Sequence, residues 1–183
     1  MKSFNKTLIL FFLFLSPLHI FSQTENENFR IDENQVVWQK TYETELSKEA
    51  LIDKIKTSGK FKNISLSENK LTAEIIDLSI DYKGYGESKM SIPIYLSTYS
   101  VKAFCMFEFK DNKYRTTFKN IKFVALYSDV LSEIGEITEI ETYALSQKNT
   151  EFKSAFLNKP SKILNYTFSK ATELKNNIEN SKW

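Results

Sequence analysis

The segment VKAFCMFEFKDNKYRTTFKNIKFVA, Val101 to Ala125, constrains the fold more than any other stretch of the chain. Apolar and polar residues alternate on both sides of Asp111-Asn112, which predicts two long antiparallel strands joined by a tight two-residue turn. Aspartate and asparagine both tolerate positive φ, so a type I′ turn is expected there. A two-residue turn sets Glu108 opposite Arg115 and Phe109 opposite Tyr114. Val101, Ala103, Cys105, Phe107 and Phe109 then share a face with Tyr114, Thr116 and Phe118, and that face is the expected core. Lys102, Glu108, Arg115 and Lys119 fall on the other side, with Phe104 and Met106 among them. A hairpin with one apolar face is stable only when further strands extend it and other elements cover it.

Candidates for both lie on either side. Val36 to Tyr42, VVWQKTY, reads as a strand with Val36, Trp38 and Tyr42 on one face. A helix follows. Ser47 is placed to cap it, Leu46 and Leu51 hold the two positions of a hydrophobic staple, and Gly59 is placed to end it. Leu51, Ile52 and Ile55 form its apolar stripe, too small to hold the helix in water without a sheet beneath it. Phe61 to Leu66 is a short strand and Leu71 to Asp81 a longer one. In the longer strand Leu71, Ala73 and Ile75 share one face, then Ile76, Leu78 and Ile80 share the other, which predicts a β-bulge near Ile75 and Ile76. Tyr82 to Pro93 is a loop. Asp129 to Glu141 carries Leu131, Ile134, Ile137 and Ile140 at intervals of three and fits either a loop or a short helix. From Ser161 onward, after Pro160, Leu164, Phe168, Ala171, Leu174 and Ile178 define an amphipathic helix expected to run nearly to Trp183.

These elements give an α+β fold: an antiparallel sheet of about five strands, a short helix after the first strand and a long C-terminal helix. The sheet domain spans 35–125. An acidic connecting segment and the last helix, 126–183, complete it. Gln23 to Asn34, QTENENFRIDEN, is polar without an apolar period and is expected to be a flexible lead-in. Residues 1–22 read as a secretory signal: Lys2 and Lys6, then the apolar run LILFFLFL, then Pro17 and the small Ser22 before an expected cut at Gln23. The run is too short to span a bilayer as a lone helix, and the mature chain is expected to have no transmembrane segment.

The expected cut decides much of the chemistry. The chain has one histidine, His19, and it lies in the signal. Without it, histidine-based triads, dyads and histidine-ligated metal sites are excluded on inventory. One cysteine, Cys105, excludes an intramolecular disulfide and a cysteine metal cluster. Loss of Lys2 and Lys6 leaves 23 basic residues (25 − 2) against 23 acidic ones, so nucleic acid and anionic membrane surfaces are not expected partners.

Five residues are the candidate binding surface: Tyr82, Tyr85, Tyr95 and Tyr99, with Gly84 and Gly86 between them, and Arg115. Tyrosine- and glycine-rich loops suit adaptable contacts, and packing of the same tyrosines against the sheet edge is an equal alternative. Arg115 offers a fork for an anion, against the plainer reading of a surface ion pair with Glu108. Asp129, Glu133, Glu136 and Glu139 lack the spacing of a calcium loop and are expected to be a solvated acidic face. No metal, cofactor or catalytic residue is assigned.

VVWQKTYET before SKEALIDKIK, FEFKDNKYRTTFKNI in the hairpin and a signal ending in FSQ together resemble the secreted Bacteroidota proteins grouped as domain of unknown function 4468. The resemblance covers Val36 to Ala125. It implies a TBP-like fold, a curved antiparallel sheet with helices on one face in the order β-α-β4-α, and it implies no activity. The functional expectation is an exported, periplasmic or secreted, non-enzymatic binding module. It would use the open sheet face and the tyrosine-glycine loop to contact an unidentified protein, peptide or glycan of the cell envelope. A small carboxylate-dependent hydrolase is the alternative.

Overall fold

In the computed structural model, which describes residues 28–128 and 132–174, the Val101–Ala125 segment is the centre of the sheet. Strands β5 (Tyr99–Lys110) and β6 (Lys113–Ala125) pair antiparallel, with Phe109 opposite Tyr114 and Glu108 opposite Arg115. The inward face is the expected one: Val101, Cys105, Phe107 and Phe118 are fully buried. Only Asn112 of the turn pair takes a positive φ (55°), so this is not the expected type I′ turn, which needs positive φ at both residues.

The sheet is larger than the expected five strands. Seven strands occur among the described residues, in the sheet order β1 (Phe29–Asp32), β2 (Gln35–Glu43), β6, β5, β4 (Lys70–Ser79), β3 (Lys62–Ser67), with β7 (Ile137–Glu139) also on β6. Strand β1 (Phe29–Asp32) lies within the stretch read as a flexible lead-in. It is joined to β2 (Gln35–Glu43) by Glu33-Asn34, both with positive φ (50° and 64°), the condition for a type I′ hairpin. Phe29 is fully buried against Phe156 and Phe168. Two inward side chains, Phe29 and Ile31, were too short an alternation to stand out from their polar neighbours.

Helix α1 (Lys48–Thr57) follows β2 as expected. Ser47 Oγ accepts the Ala50 N–H at 3.2 Å, and Leu51, Ile52 and Ile55 are its buried residues. Gly59, at φ +70°, turns the chain out of the helix, a conformation that favours glycine. Strands β3 (Lys62–Ser67) and β4 (Lys70–Ser79) form the other wing. The β4–β5 register shifts between Ile75 and Leu78, where a bulge was expected. Leu71, Ala73 and Ile75 are buried before it, and Leu78 and Ile80 pack on the core after it; Ile76 is exposed. The β5–β6 pairing has its own irregularity between Lys102 and Phe104, near Asn120 (φ 51°), so the inward phase of β6 moves from Tyr114, Thr116 and Phe118 to Ile121 and Phe123.

After a 3-10 turn at Lys89–Ser91, helix α2 (Tyr95–Thr98) leads into β5. Of the segment that fitted loop or helix, Ile137–Glu139 is strand β7 and Ile140–Ala144 is helix α3. Leu131 lies outside the described residues; Ile134 and Ile137 are exposed and Ile140 is buried, so the three-residue spacing is not a helix stripe over 134–140. Two more helices close the fold, α4 (Ser154–Asn158) and α5 (Pro160–Thr172). Pro160 is inside the first turn of α5, where its missing N–H removes nothing. Helix α5 ends at Thr172, with Glu173 extended, rather than running on; Ile178 lies outside the described residues. The Tyr114 hydroxyl donates to the Thr172 carbonyl (3.0 Å) and accepts the Leu174 N–H (2.8 Å), which pins the chain to β6 where the helix stops.

Residues from all five helices join one hydrophobic cluster with the inward side chains of the sheet, Trp38, Phe118 and Phe168 among them. The result is one sheet with its helices on one face. No described helix is long and apolar enough to cross a membrane. Residues 1–22, expected to be a secretory signal, and His19 within them lie outside the described residues.

Candidate interaction surface

Alternation along each strand sends every second side chain away from the helices. On β5 these are Lys102, Phe104, Met106 and Glu108, and on β6 Arg115, Thr117, Lys119 and Lys122, the last after the bulge. One side of this outward face is ordered by hydrogen bonds. Arg30 donates to Gln39 Oε1 (2.6 Å), and Gln39 Nε2 donates to Thr117 Oγ1 (2.8 Å). Beneath this chain Val37 is almost completely buried although it faces away from the core.

The other side is open. Phe104 is 38% exposed and Ile76, following the inward Ile75, is 43% exposed. Phe104 stands between Glu74 on β4 and Lys119 on β6, its register partners. Met106 stands between Thr72 and Thr117. Ion pairs line the periphery: Lys119 with Asp32 (3.2 Å), Lys122 with Glu139 (2.8 Å) and Arg115 with Glu108 (2.9 Å). A half-exposed apolar centre with a charged margin is the anatomy of a protein interface.

The five residues singled out from the sequence do not come together. Arg115 belongs to this face, and both its Nε and NH2 groups reach the same oxygen of Glu108, an exposed pair worth under about 1 kcal/mol. Tyr95 is buried in α2, stacked on Tyr143 with ring centroids 4.1 Å apart, and burial pushes its hydroxyl well up. Tyr99 is half-buried, edge-on to Phe123. Tyr82 is half-buried against the core. Tyr85 is 38% exposed and packs edge-on against Tyr166 of α5 at 5.8 Å. Packing therefore accounts for Tyr82, Tyr95 and Tyr99, and Tyr85 alone retains a large free surface.

The loop that carries Tyr82 and Tyr85 is tied down. Asp81 accepts the Gly84 N–H (2.8 Å) and an ion pair from Lys170 (2.6 Å), and Glu87 pairs with Lys159 (3.0 Å). The Lys170 contact and the Gly84 N–H hold the Asp81 carboxyl below the usual range, and Ser91 with Lys159 does the same for Glu87. A general acid needs the opposite displacement. Cys105, expected to face inward, is fully buried, and desolvation raises its thiol.

Among the described residues, depressions on the helix side include two beside α5. A groove of about 780 Å³ runs between the β5–β6 turn and the end of α5, walled by Tyr42, Tyr114 and Leu174 with Glu43, Asp111 and Glu173 at its margin. A cleft of about 420 Å³ sits between the β4 bulge and α5, floored by Ile75, Ile80 and Ala171. Among the described residues no group of three or more aspartate, glutamate, cysteine or histidine side chains is placed to hold a metal. Asp129 lies outside the described residues, and Glu139 of the same acidic segment pairs with Lys122.

Sequence reading placed Phe104 and Met106 outward but gave them no role, because it compared residue types and not exposures. The signal was present: two large apolar residues on the polar phase of a strand otherwise charged.

No family model matches the chain, and no curated protein matches it. Two solved structures are similar. One is a TBP-like protein from Parabacteroides distasonis, at 15% identity and a TM-score of 0.44, covering 76% of this chain and 87% of that one. The other is a DUF4468 family protein from Bacteroides ovatus, at 13% identity and a TM-score of 0.43, covering 85% of this chain and 97% of that one. The first is described as TBP-like and the second as a DUF4468 family protein, and neither description states an activity or a ligand.

Proposed function

We propose that the chain is an exported, non-enzymatic interaction module whose contact surface is the outward face of its sheet. The observation that supports this reading is the half-exposed Phe104, beside Met106 and Ile76, on a sheet face without a helix over it. Lone exposed apolar residues are ordinary, but a contiguous group with a charged margin favours a partner surface. The mixture of signs and the absence of a histidine after Gln23 both favour binding over turnover. Replacing Phe104 with glutamate is expected to abolish co-purification of the partner from cell-envelope extracts while leaving the melting temperature within a few degrees. The matched change Lys162→Glu, on the exposed side of α5, is expected to have no effect. Equal retention of partner by the Phe104 variant would remove the face from consideration. Export rests on residues 1–22; a native chain that begins near Gln23 by mass spectrometry is expected, and an intact Met1 would refute it.

A further inference from the structure

Strand β3 is one end of the sheet, and among the described residues no strand pairs with its other side. A free edge carries unpaired N–H and C=O groups and can add a strand from another chain. The β3–β4 hairpin closes at Ser67 opposite Lys70, so antiparallel alternation points the backbone groups of Leu66 to the free edge. The Leu66 side chain is 49% exposed, although it shares the inward face with its buried partner Leu71. Toward the start of the strand the regular row stops. Lys62 faces Glu74 and Ser65 faces Thr72, so Asn63 and Ile64 together stand against the one residue between, Ala73. That is a β-bulge with one residue in excess. Asn63 takes a φ of 51°, a left-handed conformation that asparagine tolerates and β-branched residues resist. Its side chain donates to Glu74 across the pair (3.0 Å). The bulge bends the strand there, and the outward row ends at Leu66 instead of continuing to Ile64.

We infer that the Asn63 bulge is a guard that keeps β3 from pairing with β3 of a second copy of the chain. The strand itself selects that partner. A two-fold axis at Ser65 pairs two β3 edges antiparallel and sets Ile64 of each copy opposite Leu66 of the other, with Ser65 facing Ser65. Apolar residues then meet apolar ones. With Asn63 removed, Lys62 meets Ser67, so no like charges are opposed. The other end of the sheet is a poorer edge, since β1 has only four residues. Without the bulge, β3 presents a regular row of outward backbone groups beside an exposed leucine, the kind of edge that joins two copies into one sheet. The guard acts at the edge of the sheet and does not depend on what the outward face contacts.

The test measures mass by light scattering after gel filtration, on the chain from Gln23 onward at about 100 μM. The unaltered chain is expected to be a monomer, and so is Asn63→Gly, because glycine keeps the left-handed conformation. Deletion of Asn63 leaves Lys62 opposite Glu74 and Ser65 opposite Thr72 with one residue between on each strand. It is expected to give a dimer of about twice the monomer mass. In that dimer the Leu66 amide should exchange with deuterium at least about tenfold more slowly than in the unaltered chain. Leu66→Lys added to the deletion should restore the monomer. Asn63→Val keeps the chain length, disfavours the left-handed conformation and drives the excess residue toward the start of the strand. It should dimerise more than Asn63→Gly, and it carries the test if the deletion does not fold. A folded deletion variant that stays monomeric would overturn the guard, and so would an unaltered chain that dimerises with a protected Leu66 amide. A dimer that persists with Leu66→Lys would place the contact away from β3 and overturn the pairing. Equal association of Asn63→Val and Asn63→Gly would overturn the role of the bulge.

Discussion

Tyr114→Phe isolates the contact that ends the last helix. The Tyr114 ring is buried and stacked on Tyr42, with centroids 4.9 Å apart and planes 14° from parallel. Phenylalanine keeps the ring, the stack and the apolar burial, and removes one oxygen. That oxygen donates to the Thr172 carbonyl and accepts the Leu174 N–H. Two hydrogen bonds at about 1 kcal/mol each, with partial rehydration of Leu174, give an expected loss of about 1–3 kcal/mol. For a domain of this size that corresponds to a fall in Tm of about 3–10 °C. Urea unfolding followed by tryptophan fluorescence measures it, with Trp38 buried in the core as reporter and an unchanged m-value. Tyr42→Phe acts on the same helix end, because the Tyr42 hydroxyl contacts Thr172 Oγ1 (2.7 Å) and the Ser169 carbonyl (3.3 Å). The double variant should therefore show a coupling of about 0.5 kcal/mol or more. A loss below about 0.5 kcal/mol for Tyr114→Phe would refute the pinning of α5 to β6 through this hydroxyl.

Three further outcomes are expected. Burial pushes the Tyr42 hydroxyl up to about 12 from an ordinary 10.0, so the unfolded chain loses this proton first; stability should hold below pH 10 and fall between pH 10 and 12, read from ellipticity against tyrosinate absorbance. Cys105 should resist thiol reagents in the folded protein and react fully in denaturant; rapid native labelling would place it on the outward face. A Cβ on Gly84 would clash with the Asp81 carboxylate, so Gly84→Ala should displace it from Lys170 and cost about 1 kcal/mol by chemical denaturation, and an unchanged stability would show that the loop is not held there.

The parts of the fold legible in the sequence were those with long, regular alternation or complete end signals. The β5–β6 hairpin needed only its period of two, and α1 announced itself through Ser47, its three-residue stripe and Gly59. The β4 bulge was readable because its phase change is carried by large residues on both sides. Strand β1 was missed because its stability is tertiary: Phe29 is held by Phe156 and Phe168, more than a hundred residues away in the chain. The end of α5 was missed for the same reason, since a stripe continues through Leu174 and the stop comes from tyrosines on β2 and β6. The tyrosines chosen as a surface illustrate a third limit. Residue type suggests recognition, but Tyr95 and Tyr99 lie where the chain enters β5 and are drawn onto Phe123. The irregularity near Asn120 sets Lys102 opposite Lys122 instead of a residue one place along; the phase change from Phe118 to Ile121 and Phe123 marks it in the sequence, but the alternation was followed only as far as Phe118.

The central claim, that the outward sheet face meets the partner, is tested most directly by photo-crosslinking in the source cells. A benzophenone side chain placed singly at Phe104, Ile76 and Lys162 samples the two sides of the sheet. Adducts of one defined mass are expected from positions 104 and 76, and none from 162. Adducts from 162 with none from 104 would place the contact on the helix side and contradict the account.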